Sequence, residues 1–144
     1  MAIFTYGSIN NLKNYLYFKL KDFNENDNQI SELSNYVILL RNLLELLNKP
    51  VENYDGIVLL VDSIYTDGSL KDLGNDIYFL KSITSKKNYD EVQYQSVLER
   101  INKHKMVIVK DLFNIEKQLE LLRSNRNYYG KYKKLFVEIM NRIN

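Results

Sequence analysis

Residues 89–123 read YDEVQYQSVLERINKHKMVIVKDLFNIEKQLELLR, and this stretch decides the fold. Its apolar side chains recur at steps of four and three residues, which is the spacing of one face of an α-helix. Between residues 90 and 123 there is neither glycine nor proline to weaken a helix. The pattern therefore predicts one long, heptad-patterned helix near 89–123. Its seam consists of Leu98, Ile101, Lys105, Ile108, Leu112, Ile115, Leu119 and Leu122.

The length of this helix raises the question of what covers its seam. About 34 helical residues span roughly 50 Å, which exceeds the diameter of a compact domain of this size. We therefore expect the helix either to bend or to pair in part with another chain. The seam could be buried by helices of the same chain, or it could bind another protein or a second copy. Lys105 favours the second alternative slightly, because a lysine at such a position can set the register of paired helices.

Apolar spacing predicts five further helices, near 8–23, 28–48, 50–65, 69–83 and 128–143. The polar runs 24–28 and 123–127 are expected to separate helices, because Asn and Asp side chains compete for backbone hydrogen bonds and favour turns. The helix near 28–48 is apolar on more than one side, so we expect it at the centre. The predicted fold class is all-α, a helical bundle of about six helices. We expect a single domain over residues 1–144, with a basic C-terminal helix at 124–144.

The composition restricts the chemistry that the chain can perform. The absence of cysteine excludes disulfides and Cys-ligated metals, and a single histidine, His104, does not suffice for a usual zinc hydrolase site. No phosphate-binding glycine loop is present. Four aspartates fit no calcium loop, and we interpret them as solvated residues at helix ends. They are Asp62, Asp67, Asp72 and Asp76. The sequence thus predicts neither a metal nor a cofactor.

One pair of residues would suit a metal-independent ribonuclease. Arg100 and His104 lie four residues apart on the predicted long helix. Families with a helical Arg–His motif space the two residues further apart, so the spacing favours an ordinary helix surface position. No Gly-x-Ser-x-Gly elbow surrounds any serine. We therefore expect that the protein is not an enzyme.

Positive charge is concentrated at the C-terminal end. Residues 121–144 carry six positive charges and one negative charge, although the whole chain has a net charge of only +2. Tyrosines alternate with these cations, as on surfaces that bind single-stranded nucleic acid by charge and stacking. The alternative is that the tyrosines are buried and the lysines merely solvate the surface. The predicted patch for nucleic acid or an acidic partner consists of Arg123, Arg126, Tyr128, Tyr129, Lys131, Tyr132, Lys133 and Lys134.

The composition also indicates a source and a location. The chain has 18 Asn, 15 Lys, 13 Ile and 12 Tyr but only 5 Arg, 5 Gly and 1 Pro, a bias typical of an AT-rich genome. Such genomes occur in viruses, phages and low-GC microbes. The N-terminus lacks a signal-peptide pattern, and no segment approaches the roughly 20 apolar residues of a membrane span. We expect a cytoplasmic, intracellular protein, in the host cell if the source is viral.

The interpretation most consistent with these features is a non-enzymatic helical protein for protein–protein interaction or assembly. It would contact another protein, or a second copy of itself, through the long helix. The alternative is a nucleic-acid-binding protein that uses the basic, tyrosine-rich C-terminal segment. A metal-independent ribonuclease is the third hypothesis.

Overall fold

A computed structural model describes residues 6–143, apart from the side chains of residues 6–10, 128, 129 and 131. This part of the chain forms four α-helices and no strand. The helices are α1 (Tyr6–Leu46), α2 (Tyr54–Ile64), α3 (Lys71–Thr84) and α4 (Glu91–Ile143). The all-α class and the long helix near 89–123 are confirmed. With 53 residues, α4 continues well beyond residue 123.

The prediction of about six helices is wrong in detail, because both predicted breaks are helical. The first polar run, 24–28, lies inside α1. Asn and Asp each cost a helix about 0.7 kcal/mol relative to alanine, and here two of these side chains have partners. The Asn26 side-chain amide donates to the Leu122 carbonyl at 3.3 Å, and Asp27 pairs with Arg126. Burial of Phe23 on one side of the run and Ile30 on the other further stabilises the helical conformation.

The second polar run, 123–127, lies inside α4. The heptad spacing continues across it, so residues 124–143 form the end of α4 and not a separate helix. The continued positions include Arg126, Lys133, Phe136, Met140 and Ile143. Arg126 occupies a position that an apolar residue would normally hold, and its Nε atom lies 3.2 Å from Asp27 Oδ1. Because Arg126 is a cation, the heptad repeat of apolar residues is interrupted here when the sequence is read alone.

In the last part of α4, Tyr132 and Leu135 are exposed, whereas Phe136 and Met140 are half-buried. Phe136 faces Phe23, with ring centroids 6.1 Å apart and planes inclined by only 9°. The buried face is therefore the continuation of the heptad seam.

The contacts divide the chain into two compact units. Unit 2 is Asn35–Glu116 and contains the end of α1, all of α2 and α3, and the beginning of α4. Unit 1 comprises the described parts of Met1–Ser34 and Lys117–Asn144. The single-domain assignment of residues 1–144 stays a prediction.

Unit 2 contains a continuous hydrophobic core to which four helical segments contribute. Leu43, Ile57, Leu73, Ile77 and Ile108 are fully buried in it. Each comes from the apolar side of its own helix, so the helices share one core and exclude water from it. This core fixes the outward orientation of the opposite sides of α2 and α4.

The connections in unit 2 are short and locally hydrogen-bonded. Asp67 accepts from the Ser69 backbone N–H at 2.9 Å, which lowers the pKa of the Asp67 carboxyl. Gly68 has a φ of 77°, a left-handed conformation that glycine adopts without strain. At the start of α4, Asp90 accepts from the Val92 N–H at 2.9 Å, so the Asp90 side chain caps this helix.

Unit 1 contains two antiparallel helical segments, one from α1 and one from α4. Phe23 lies against Phe136, and Asn26, further along α1, lies against Leu122, earlier in α4. Leu16, Phe23 and Ile30 are buried at intervals of seven residues. This repeat is typical of paired helices.

Replacing Ile77 with alanine tests the core of unit 2. Ile77 is 0% exposed, so we expect Ile77→Ala to lower the free energy of unfolding by about 2–5 kcal/mol through lost burial and the cavity left behind. The matched control is Val92→Ala, at a side chain that is 78% exposed, with an expected change within about 0.5 kcal/mol. Urea titration followed by circular dichroism measures both values, and equal effects would contradict the described core.

Candidate interaction surface

The predicted helix-partner seam faces other parts of the same chain. In unit 2, Ile101 and Ile108 are buried, and Leu98, Leu112 and Ile115 are partly buried against the same core. Lys105 is half-buried beside them. In unit 1, Leu119 is buried and Leu122 is half-buried. A partner helix would reach this seam only by displacing the chain's own helices.

The opposite side of α4 exposes a second apolar stripe in unit 2. Met106 is 72% exposed, Val109 49% and Phe113 55%. Steps of three and four residues place these side chains on one side of the helix. Lys103 and Lys110 are exposed along one edge of the stripe. We call these five residues the outer α4 face.

Exposed apolar side chains in a cluster differ from scattered ones. Single exposed apolar residues are ordinary, whereas a contiguous group rimmed by charge marks a contact site for another macromolecule. Complete burial of one apolar side chain of this size in an interface contributes about 1.5–3 kcal/mol, because the side chain is removed from water. The outer α4 face therefore has the chemical character of a binding surface.

The outward side of α2 has the complementary charge. Asp55, Leu59 and Asp62 follow each other at steps of four and three residues, and all three are exposed. Leu59 is 69% exposed, and α2 contains no cationic residue. We call these three residues the acidic α2 face.

The Asp76 carboxylate joins the two residues that the sequence analysis considered for a ribonuclease. Asp76 Oδ1 accepts from Arg100 Nε at 3.0 Å, and Asp76 Oδ2 lies 3.3 Å from His104 Nε2. Arg100 also contacts the Ser96 hydroxyl at 3.3 Å. Asp76 sits within α3 with a side chain only 13% exposed, so its interpretation as a solvated helix-end residue is wrong.

A second polar contact, which is partly buried, joins Tyr65 to α4. The Tyr65 hydroxyl donates to Asp111 Oδ2 at 2.7 Å. Burial, followed by this hydrogen bond and the negative charge of Asp111, raises the pKa of the Tyr65 phenol. The neutral phenol is therefore the form that the fold stabilises.

The described side chains of the predicted basic patch lie on more than one side of α4. Arg126 pairs with Asp27, and Lys133 is half-buried in the seam. Arg123, Lys134 and Tyr132 are exposed, but helical geometry places Tyr132 on roughly the opposite side of α4 from the two cations. Three further members of the patch have side chains outside the described ones. These are Tyr128, Tyr129 and Lys131.

A cavity of about 330 Å³ lies beside the polar positions of unit 1. Arg126 and Lys133 line it together with Asn26 and Asp27, while Phe23 contributes an apolar wall. Unit 1 as a whole has ten cationic and six anionic residues in its sequence, a net charge of +4. The cavity thus presents cations and amides in the more basic unit of the chain.

The outer α4 face and the acidic α2 face were not predicted from the sequence. The strongest apolar stripe of α4 is the seam, whereas Met106 and Phe113 lie on the other side of the same helix. Their seven-residue spacing was the available signal. A period alone does not say which of two apolar stripes faces the core.

Comparison with family models, with curated proteins and with solved structures finds no match to this chain. Within the described residues, no helix is both long enough and apolar enough to cross a membrane. The same part of the chain has no group of three acidic or histidine side chains placed to hold a metal ion.

Replacing Tyr65 with phenylalanine tests the contact with Asp111. We expect Tyr65→Phe to lower the free energy of unfolding by about 1 kcal/mol near neutral pH, because one hydrogen bond to a carboxylate is lost. The pKa of this phenol is raised above its ordinary value of 10.0, so its contribution is complete below that pH and is lost as the pH rises above it. Urea titrations at neutral and alkaline pH measure both effects.

The control for this experiment is Tyr78→Phe. Tyr78 is largely exposed on α3, so we expect its change to stay within about 0.5 kcal/mol at either pH. If the two variants lose equal stability, the hydrogen bond to Asp111 does not contribute.

Proposed function

We propose that this chain is a non-enzymatic helical protein for protein–protein interaction or assembly, and that it binds through the outer α4 face. The observation that carries the proposal is the exposure of Met106 and Val109 on a helix whose other side is buried in the core of unit 2. A helix that is apolar on two sides requires a second neighbour. In the described structure, no helix of unit 2 fills that place.

The shape of the surface favours a protein partner. The outer α4 face is the convex side of a helix, whereas sites for small molecules are concave and enclose most of the ligand. Helical anchors at intervals of three, four and seven residues are a recurrent basis for binding between proteins. A partner helix or groove is therefore the complementary shape.

The Asp76 cluster fits a structural role better than the ribonuclease hypothesis. Asp76 already contacts both Arg100 and His104, and it links α3 to α4. A phosphate-binding arginine would need its charge available to the substrate, but the guanidinium of Arg100 is paired with a carboxylate. The contact holds two core helices together.

The same proposal includes a location and a source. An intracellular protein of a virus, phage or low-GC microbe fits the absence of cysteine and the abundance of Asn, Lys, Ile and Tyr. Small helical interaction proteins operate in such settings without disulfides.

A photo-crosslinking residue at position 106 tests the proposed surface. In extracts of cells that naturally produce the chain, we expect the substitution of Met106 by a benzophenone-bearing residue to yield protein adducts, because the partner covers this side chain. Mass spectrometry then identifies the attached protein. Adding Val109→Asp should reduce the adduct several-fold, since a buried carboxylate disfavours the contact.

The matched control carries the same crosslinker at Lys86, an exposed residue outside the outer α4 face. Equal adducts at positions 106 and 86, or adducts that Val109→Asp leaves unchanged, would overturn the proposal. A specific adduct at position 106 supports it, whether the attached protein is a second copy or a different protein.

A second candidate function is nucleic-acid binding by unit 1. The specific observation is that Lys133 lines the cavity of a unit with a net charge of +4. A lysine in such a place can neutralise a backbone phosphate of a nucleic acid. This candidate concerns a different surface from the outer α4 face.

Lys133→Glu tests the nucleic-acid candidate. We expect it to weaken binding of a fluorescent single-stranded oligonucleotide and to lower the slope of log affinity against log salt by about one, because one phosphate contact is lost. The control is Lys86→Glu, which makes the same charge change in unit 2. Fluorescence anisotropy at several salt concentrations measures both. No binding by the unchanged chain, or equal effects of both variants, would exclude this candidate.

A further inference from the structure

Two exposed faces of unit 2 carry opposite charges around apolar centres. The outer α4 face presents Lys103 and Lys110, and the acidic α2 face presents Asp55 and Asp62. Among the described residues, none of these four forms an ion pair within 4.0 Å. None of these four charges is therefore neutralised by an ion pair within the described part of the chain.

The spacing of the charges is the same on both faces. Lys103 and Lys110 are seven residues apart in α4, and Asp55 and Asp62 are seven residues apart in α2. Seven residues of a helix span about 10 Å, so two helices lying side by side can place both pairs opposite each other. The two faces therefore match in the positions of their charges along the helix as well as in the signs of those charges.

The apolar residues of the two faces lie at matching places. Leu59 lies between the two aspartates of the acidic α2 face, and Met106 and Val109 lie between the two lysines of the outer α4 face. When the charges are aligned, Leu59 comes to lie on the Met106–Val109 stretch. The apolar contact supplies affinity, and the two ion pairs at its edge select the register and the partner.

We propose that the outer α4 face binds the acidic α2 face of a second copy of this chain. This inference rests on the proposed function and names the partner of that same surface. The two faces belong to different helices, so the contact is heterologous and leaves one outer α4 face and one acidic α2 face available at the ends of each pair. Repetition of the contact builds a ring or a filament.

The small size of the faces determines the expected behaviour. A few apolar side chains and two edge ion pairs form a contact below the usual size of a stable interface, so assembly depends on protein concentration. The ion pairs are exposed at the edge of the contact, so added salt weakens it.

Charge exchange between the two faces provides the test. Variant A carries Lys103→Glu with Lys110→Glu, and variant B carries Asp55→Lys with Asp62→Lys. Within variant A both faces are acidic, and within variant B both are basic, so each variant alone should associate at least about tenfold more weakly than the unchanged chain. In a mixture every contact again joins opposite charges, and association should return with the two variants alternating.

Sedimentation velocity over a range of concentrations measures the association, and circular dichroism verifies that both variants retain their helices. The matched control for variant A is Lys86→Glu with Lys87→Glu, which makes the same change in net charge outside both faces. The control for variant B is Asp22→Lys with Glu25→Lys, at exposed positions of unit 1. Both controls should associate like the unchanged chain.

Restored association in the mixture, with both controls unaffected, supports the inference. A monomeric unchanged chain at millimolar concentration, variants that associate as well as their controls, or a mixture that stays monomeric would overturn it. A different protein attached at position 106 in the crosslinking experiment would refute self-docking and leave the proposed interaction function intact. If position 106 yields no specific adduct and the chain stays monomeric, both fail.

Discussion

Burial of one apolar stripe of α4 is the constraint on which the rest of the structure depends. In unit 2, Ile101 and Ile108 occupy the core to which α1, α2 and α3 also contribute. Once that side of α4 is buried, the side that carries Met106 and Phe113 has to face outward. The exposed surface is thus a consequence of core packing, because a helix that buries one face exposes the other.

Polar contacts between the packed helices help to determine how the helices align. Asp76 contacts Arg100 and His104, Tyr65 donates a hydrogen bond to Asp111, and Asp27 pairs with Arg126. Partly exposed ion pairs of this kind contribute little stability individually, but each one is satisfied only in one alignment of its two helices. Their value lies in the specificity of the arrangement, whereas the apolar cores supply most of the free energy.

The sequence predicted the features that depend on local spacing. The long helix near 89–123, the all-α class and the seam from Leu98 to Leu122 follow from an apolar period close to 3.6 residues. The breaks at 24–28 and 123–127 were wrong because Asn26, Asp27 and Arg126 look unfavourable in isolation. Each has a partner supplied by a distant part of the chain, and that partner offsets the local cost.

By itself, the sequence determined that the chain is helical and which stripe of α4 is the most apolar, since both are properties of neighbouring residues. Only the tertiary structure decided that Asp76 meets Arg100 and His104, and that Met106 and Leu59 lie on the outside. Asp76 and Arg100 are separated by 24 residues, so their contact depends on how α3 packs against α4. The physical reason is that apolar periodicity depends only on residues one or two turns apart. Which face of a helix is buried depends on the other helices that pack against it.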